Sequence, residues 1–106
     1  RHKVFENQRS FQVRKSDLDM NHHVNNVAYI RWIWDCLPHD QSPYEMDIQF
    51  LREAVLGENL CCDWSRVKDA VYFRIRAEKD KDKILALARL SLRNLPGPNS
   101  EQALQD

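Results

Sequence analysis

Hydrophobic residues in the first third of the chain recur at helical spacing, from about Val24 to Leu37. Asn25 or Asn26 can cap the start of this predicted helix, and Pro38 cannot continue it, so both ends have a local chemical reason. The apolar residues occupy two neighbouring faces, with Val27, Ile30, Trp34 and Leu37 on one and Tyr29, Ile33 and Cys36 on the other.

The polar stripe of this helix is narrow. Only Arg31 and Asp35 clearly mark it, and they are four residues apart and able to pair. Because a helix that is apolar around most of its circumference must be covered on most sides, we expect it to be nearly surrounded. In so short a chain, the covering material has to be a sheet.

Other segments alternate apolar and polar residues with the period of two that is typical of strands. The first, Phe11–Arg14, precedes the helix. The apolar positions of four later strands are, in chain order, Met46, Ile48 and Phe50; Leu60, Cys62 and Trp64; Val71, Phe73, Ile75 and Ala77; and Ile84, Ala86, Ala88, Leu90 and Leu92. Residues 38–43 are predicted to form a loop, and the charged run Lys79–Lys83 a hairpin turn.

This order of elements predicts an α+β fold in which a mostly antiparallel sheet of about five strands is wrapped around one long central helix. We expect a single domain over residues 1–93 and a flexible polar tail over residues 94–106. One helix cannot cover both faces of such a sheet. Leu85 and Leu87 hint at a second apolar face, which, with exposed strand edges, favours pairing with another copy or domain.

The balance of charges argues against several classes of protein. The 106 residues carry 16 basic and 16 acidic side chains, for a net charge of zero, so no basic field would attract a nucleic acid. No apolar run approaches the roughly 20 residues that span a bilayer, and the N-terminal residues lack the apolar core of a signal peptide. We therefore expect a soluble, intracellular protein.

The three cysteines do not form the pattern of a disulfide scaffold, because their number is odd. Cys61 and Cys62 are adjacent and cannot form an ordinary strain-free bridge to each other. The sequence contains no CxxC motif, and neither of these residues has a histidine at zinc-ligand spacing. We predict no metal site and no cofactor.

Polar residues cluster where the first strand ends and the helix begins. Asp19, Asn21 and His23 would share one side of an extended segment and could converge on one point. The adjacent helix N-terminus offers unpaired N–H groups that polarise a carbonyl oxygen. Capping residues and a surface histidine would produce the same pattern, and we expect His22 to be solvent-exposed. The residues alone leave open an ester, a thioester, an amide and a dehydration substrate.

Two segments resemble a known family, the acyl-acyl-carrier-protein thioesterases of bacteria and plastids. Ser16–Ile33 matches the family signature in the form DLDxNxHVNNxxYIxW, and Phe50–Ala54 resembles the second active-site segment. The similarity runs from roughly Phe11 to Leu92. It implies a hot-dog fold, in which a curved antiparallel sheet wraps a long helix. Members carry two such units in tandem, so this chain resembles the C-terminal half, with much of the acyl pocket supplied by the other half.

The family's active-site groups carry over onto four residues of this chain, Asp19, Asn21, His23 and Glu53. The cysteine once proposed as a family nucleophile falls at Ala54, so a cysteine nucleophile is absent at that position. The resemblance then implies attack by water, with Glu53 as general base held or tuned by Asp19, and with Asn21 and His23 orienting water and polar groups.

The same resemblance implies that backbone N–H groups at Val24, Asn25 and Asn26 stabilise the oxyanion. Its substrate would be a fatty acyl chain on acyl carrier protein, and its partner a second hot-dog unit, either the other half or an identical copy. One alternative is an acyl-CoA thioesterase of the single hot-dog type. Another is a non-catalytic acyl-binding or dimerisation module. We expect a bacterial cytosolic location, with the plastid stroma as the alternative.

Overall fold

The computed structural model describes residues 5–94, which form one antiparallel sheet with a helix packed on one face. The elements are β1 (Asn7–Gln12), a 3-10 turn (Lys15–Asp17), α1 (Asn26–Trp34), β2 (Gln41–Phe50), β3 (Asn59–Val67), β4 (Ala70–Ala77) and β5 (Ile84–Asn94). Among these residues, no helix has the length and apolar character that a membrane crossing requires. Apart from Asn94, the predicted tail lies outside the described residues.

The five strands follow the order β1-β3-β4-β5-β2, and every neighbouring pair is antiparallel. The strands β3, β4 and β5 are joined by short turns, so they are adjacent in space. The first two strands lie at opposite edges, and α1 makes the connection between those edges. The prediction of an antiparallel sheet of about five strands and one helix is therefore confirmed.

The core lies between α1 and one face of the sheet. Ala28, Tyr29 and Ile33 are the buried residues of α1. They meet Phe73 and Ile75 of β4, which are among the largest fully buried side chains. The alternation read from the sequence thus places the correct residues of the strands against the helix.

The helix differs from its prediction in length and in surroundings. It spans nine residues, with Asn25 as its N-cap, and ends at Trp34 rather than Leu37. Val27 and Trp34 are 55% and 56% exposed, so the helix is not surrounded in the single copy. The prediction of a nearly surrounded helix is wrong for this chain alone, because the sheet covers one side of it.

Three strand details also differ from the predictions. The first strand spans Asn7–Gln12 and so lies earlier in the chain than the predicted Phe11–Arg14. The strand β2 begins at Gln41 and therefore includes Pro43, which the sequence predicts to lie in a loop. A proline is tolerated here because β2 is an edge strand and its pairing with β5 shifts register between Pro43 and Glu45. Leu85 has no partner in β4, since Ile75 pairs with Ala86 and the next residue of β4 with Ile84. This bulge turns Leu85 into the core, where it is fully buried.

The face of the sheet away from α1 is polar, which removes the argument for a second apolar face. Leu87 is partly exposed there, but it lies opposite Arg74 of β4 and Gln49 of β2. A buried carboxylate, Asp63, receives hydrogen bonds from Arg74 and Arg76 on the same face. Pairing through an apolar back face is therefore not supported.

Candidate active site

The loop before α1 carries three of the predicted site residues and is held by its own backbone. Leu18 and Val24 form an isolated antiparallel bridge, and the Asp19 N–H donates to the His23 carbonyl oxygen at 2.8 Å. The Asp19 carboxylate closes the loop, because its Oδ1 accepts the backbone N–H groups of Asn21 at 2.9 Å and His23 at 3.1 Å. Asp19 therefore shapes the loop that presents His23.

The N-terminus of α1 offers fewer free N–H groups than predicted. The Asn25 side chain caps the helix by accepting the Val27 N–H at 2.9 Å, and the Asn25 N–H donates to the Asp17 carbonyl oxygen at 3.0 Å. The structure therefore does not support Asn25 as an oxyanion donor. Within the described part of the chain, the N–H groups of Val24 and Asn26 have no hydrogen-bond partner and remain candidates.

Asp17 anchors the loop to the helix, a role that the sequence did not reveal. Its side chain is buried and accepts the Arg14 N–H at 2.8 Å through Oδ2. Its Oδ1 accepts Arg31 Nη2 at 2.9 Å. The sequence spacing allows Arg31 to pair with Asp35 along the helix, but in the structure Arg31 pairs with the buried carboxylate of Asp17.

Glu53 follows the end of β2, in a segment that turns away from the sheet edge. The N–H groups of Leu51 and Arg52 both donate to the Leu85 carbonyl oxygen, at 2.7 Å and 3.2 Å. Leu85 is the unpaired bulge residue of β5, so its carbonyl oxygen is available for them. The bulge thus ends the pairing of β2 at Phe50 and turns the chain toward α1.

Tyr29 of α1 reaches this segment from the other side. Its hydroxyl group accepts the Ala54 N–H at 2.9 Å and donates to the Arg52 carbonyl oxygen at 3.4 Å. The sequence places Tyr29 on an apolar face of the helix, and the structure confirms that it is buried. The contact with both neighbours of Glu53 was missed, since sequence spacing carries no signal for it.

His23 and Glu53, thirty residues apart in sequence, meet at the mouth of the site. His23 Nδ1 lies 2.5 Å from Glu53 Oε2, and the two side chains are 63% and 50% exposed. The hydrogen bond and the charge of Glu53 raise the pKa of His23 above 6.5, with a further small contribution from the charge of Asp19. An imidazole N–H held on one carboxylate oxygen leaves the other oxygen open to solvent.

A cleft of about 350 Å³ opens beside this pair. It is lined by His23, Val24, Asn26, Tyr29, Phe50, Leu51, Arg52 and Glu53. One wall is therefore the loop and the start of α1, and the other is the end of β2 with the segment that carries Glu53. The aromatic and aliphatic members suit an apolar chain, and the polar members suit a reacting carbonyl group.

The remaining predicted site residue, Asn21, lies on the same loop, and within the described residues its side chain makes no hydrogen bond to the pair. Asn21 and His22 are exposed on the outer turn of the loop, as was predicted for His22. Ala54, at the position of the family cysteine, is 1% exposed. Cys61 and Cys62 are fully buried on β3 and do not line the cleft. Between residues 5 and 94, no group of three or more His, Cys, Asp and Glu side chains could hold a metal ion.

Comparison with known proteins decides the family. The profile of the family described as "Acyl-ACP thioesterase C-terminal domain" matches residues 2–94. The chain belongs to this family. A curated relative is the chloroplastic oleoyl-acyl carrier protein thioesterase of Coriandrum sativum, 59% identical over 27 residues, which are 26% of this chain and 7% of the relative.

Solved structures with the same hot-dog arrangement include members of this family and other thioesterases. The 12:0-ACP thioesterase from Umbellularia californica superposes with a TM-score of 0.72 at 20% identity, over 86% of this chain and 36% of that one. A putative acyl-CoA thioesterase from Xanthomonas campestris gives a TM-score of 0.72 at 16% identity, over 84% of this chain and 92% of that one. The predicted hot-dog fold is confirmed by these likenesses.

The length of the match differs between these proteins. This acyl-ACP thioesterase C-terminal domain spans about a third of the Umbellularia enzyme, but nearly the whole Xanthomonas protein. The fold is therefore shared by longer proteins and by proteins of single-unit size.

Proposed function

We propose that this domain is the catalytic part of an enzyme that hydrolyses fatty acyl thioesters of acyl carrier protein. The products are a free fatty acid and the carrier protein, which places the reaction in fatty acid biosynthesis. The observation that carries the proposal is the contact between His23 and Glu53 beside the N-terminus of α1. Membership of the acyl-ACP thioesterase family supports the choice of substrate.

Glu53 acts as the general base in this proposal. Its Oε2 holds His23 Nδ1, so Oε1 is the oxygen that accepts a proton from water. The water oxygen then attacks the thioester carbonyl carbon as that proton leaves. A carboxylate fixed by a neighbouring imidazole has a defined orientation, which supports the attack by positioning.

The start of α1 stabilises the charge that develops. As water adds, the carbonyl oxygen becomes an oxyanion. In this proposal it is received by the N–H groups of Val24 and Asn26, two residues that line the cleft and whose N–H groups have no partner among the described residues. Collapse of this tetrahedral intermediate breaks the carbon–sulfur bond and releases the pantetheine sulfur as a thiolate, which takes up the proton held by Glu53 and so restores the base. Because a thiolate is a good leaving group, little acid assistance is needed.

Asp19 and Asn21 have supporting parts in this scheme. Asp19 holds the backbone of the loop, including the N–H of His23, and its charge contributes to raising the pKa of His23. It makes no hydrogen bond to Glu53 within the described residues, so it acts on the base through His23. Asn21 lies on the same loop, exposed to solvent, and its amide orients polar groups of the bound substrate.

A second hot-dog unit completes the acyl pocket in this proposal. The His23–Glu53 pair is half exposed or more, and Val27 and Trp34 of α1 are exposed apolar residues. A unit packed over this side would exclude water from the cleft and bury the helix. It would be either another part of the same protein or a second copy of this domain.

The test is hydrolysis by the complete protein of one acyl chain presented on acyl carrier protein and on coenzyme A. We expect faster turnover of the carrier-protein substrate. The Glu53→Gln variant should lose about 10²- to 10⁴-fold in kcat, the range of a general base, while Glu45→Gln, exposed on β2, should retain wild-type turnover.

Other outcomes have defined meanings. Wild-type turnover in Glu53→Gln would contradict the role of Glu53. Preference for coenzyme A would favour the alternative suggested by likeness to the Xanthomonas protein, and sedimentation would show whether the domain pairs with itself. Hydrolysis of neither substrate by a folded protein would favour the non-catalytic acyl-binding module.

A further inference from the structure

We propose that Tyr29 is the residue that positions Glu53, through hydrogen bonds to the backbone on both sides of it. The inference rests on the function proposed above, in which Glu53 is the base. Tyr29 touches no reacting atom in this scheme, so it is a positioning residue.

The two hydrogen bonds of the Tyr29 hydroxyl group define the geometry. It accepts the N–H of Ala54 at 2.9 Å and donates to the carbonyl oxygen of Arg52 at 3.4 Å. These groups belong to the peptide units that follow and precede Glu53. A single atom of α1 therefore fixes the chain at both ends of the residue that carries the carboxylate.

Tyr29 is itself rigidly placed. Its side chain is 2% exposed, and its ring packs edge-on against Trp32 at 5.0 Å and Phe50 at 5.3 Å between centroids. A buried hydroxyl group must be hydrogen-bonded, and the backbone around Glu53 provides both partners. Burial also raises the pKa of Tyr29 above 10.0, so the hydroxyl group keeps its proton and can donate.

Few other contacts hold this segment. The N–H groups of Leu51 and Arg52 reach the Leu85 carbonyl oxygen, which orients the chain before Glu53. The Val55 N–H bonds to Glu58 on the exposed side after it. Among the hydrogen bonds of the described residues, those of Tyr29 are the ones that join the backbone around Glu53 to α1.

This link gives the helix a part in catalysis beyond its N-terminus. Asn26, one of the proposed oxyanion donors, is the first residue of α1, and Val24, the other, lies in the loop just before the helix. One turn after Asn26, the same helix carries Tyr29. The positions of the general base and of the oxyanion donors therefore both depend on α1. Misplacement of a reacting group by about 1 Å can lower a rate by about 100-fold, so this tie would control kcat more than substrate affinity.

The test is Tyr29→Phe in the complete protein. The ring stays, and the two hydrogen bonds are lost. We expect kcat for the acyl-carrier-protein substrate to fall about 10- to 100-fold, with a much smaller change in KM. In a Glu53→Gln background, Tyr29→Phe should lower kcat no further, because Tyr29 acts through Glu53.

Two control variants separate positioning from loss of stability. Tyr44→Phe removes a hydroxyl group from an exposed tyrosine of β2 and should leave kcat unchanged. Ile33→Val trims a fully buried residue of α1 and should lower the melting temperature with kcat retained. The positioning role is overturned if Tyr29→Phe lowers the melting temperature but retains kcat, as expected for Ile33→Val. It is also overturned if Tyr29→Phe lowers kcat by the same factor in the Glu53→Gln background as in the wild type.

A second readout does not depend on turnover. Glu53 raises the pKa of His23 through their hydrogen bond, so a proton NMR titration of His23 reports whether Glu53 is in place. Tyr29→Phe should move the His23 pKa toward 6.5, in the direction of the Glu53→Gln value. That result would support positioning even if the protein hydrolysed neither thioester, whereas a wild-type His23 titration in Tyr29→Phe would overturn it.

Discussion

His23 and Glu53 meet in solvent on the helix side of the sheet, whereas Asp63 meets Arg74 and Arg76 inside the opposite face. The Asp63 side chain is 5% exposed, against 50% for Glu53. Asp63 Oδ2 accepts Arg74 Nη2 at 2.8 Å and Arg76 Nε at 2.7 Å, and its Oδ1 accepts Arg76 Nη2 at 3.3 Å. Both clusters contain a carboxylate and a cationic partner, but they differ in what remains open to a ligand.

The difference separates a cluster that stabilises from one that can react. Both oxygens of Asp63 are engaged, and Arg76 also donates to the carbonyl oxygens of Ala77 and Glu78. A substrate could displace these bonds only with a loss of folding stability. Glu53 lines the cleft, and among the described residues only its Oε2 accepts a hydrogen bond, from an imidazole whose charge changes near neutral pH. Accessibility, rather than the presence of charges, marks the candidate site.

The largest contrast between the clusters should appear when each carboxylate becomes an amide. We expect Asp63→Asn to lower the free energy of unfolding by about 3 to 5 kcal/mol, because it leaves the buried guanidinium group of Arg76 without its counter-charge. Urea unfolding of the complete protein measures the change. Glu53→Gln should leave the unfolding midpoint nearly unchanged, since its side chain is half exposed.

Asp47→Asn is the matched control for Asp63→Asn, as it makes the same substitution at an exposed position of β2. It should unfold like the wild type. If Asp63→Asn also unfolds like the wild type, water must enter the Asp63 cluster. Asp63 would then contribute no more to folding stability than the half-exposed Glu53.

The pH dependence of the two clusters should have opposite signs. Burial acts to raise the pKa of Asp63, but hydrogen bonds from Arg76 and Arg74 hold it below 3.8. The stabilisation from Asp63 is therefore present above 3.8 and lost as pH falls through the lower folded pKa. The pKa of His23 is raised above 6.5, so the stabilisation from its pair is present below 6.5 and lost as pH rises through the folded pKa.

Acid unfolding followed by circular dichroism measures the pH dependence that comes from Asp63, and an NMR titration of His23 measures the one that comes from the His23–Glu53 pair. The acid unfolding transition should shift in Asp63→Asn and stay as in the wild type in Glu53→Gln. The His23 titration should shift in Glu53→Gln and stay as in the wild type in Asp63→Asn. A variant that changes both measurements would show that the two faces are coupled through the sheet.

Removing a third ion pair, Lys83–Glu58, should change the free energy of unfolding least, and so gives a reference value for a partly exposed pair. Lys83 Nζ donates to Glu58 Oε2 at 2.8 Å, with side chains 37% and 13% exposed. We expect Lys83→Ala to lower the free energy of unfolding by no more than about 1 kcal/mol, because the pair is partly solvated. Urea unfolding measures this too. A loss as large as that of Asp63→Asn would show that exposure does not rank the ion pairs of this fold.

Much of the sheet was predictable because its central strands carry apolar residues at alternate positions. The alternation over β3 and β4 places Cys62, Phe73 and Ile75 in the core, as the structure confirms. Leu85 was assigned to the wrong face, since a bulge breaks the period of two and leaves no mark in the local pattern. The burial of α1 was also overestimated, because the composition of the helix does not say which of its sides the sheet covers.

The sequence by itself determined the fold class and the loop that carries His23, and it limited the N-cap to Asn25 or Asn26, because these depend on neighbouring residues and on a signature with local spacing. Only the tertiary structure decided which distant groups meet. The contact of His23 with Glu53, the anchoring of Arg31 by Asp17 and the bridge from Tyr29 to both sides of Glu53 join residues 14 to 30 positions apart. Such contacts depend on how the helix packs on the sheet, which no local pattern encodes.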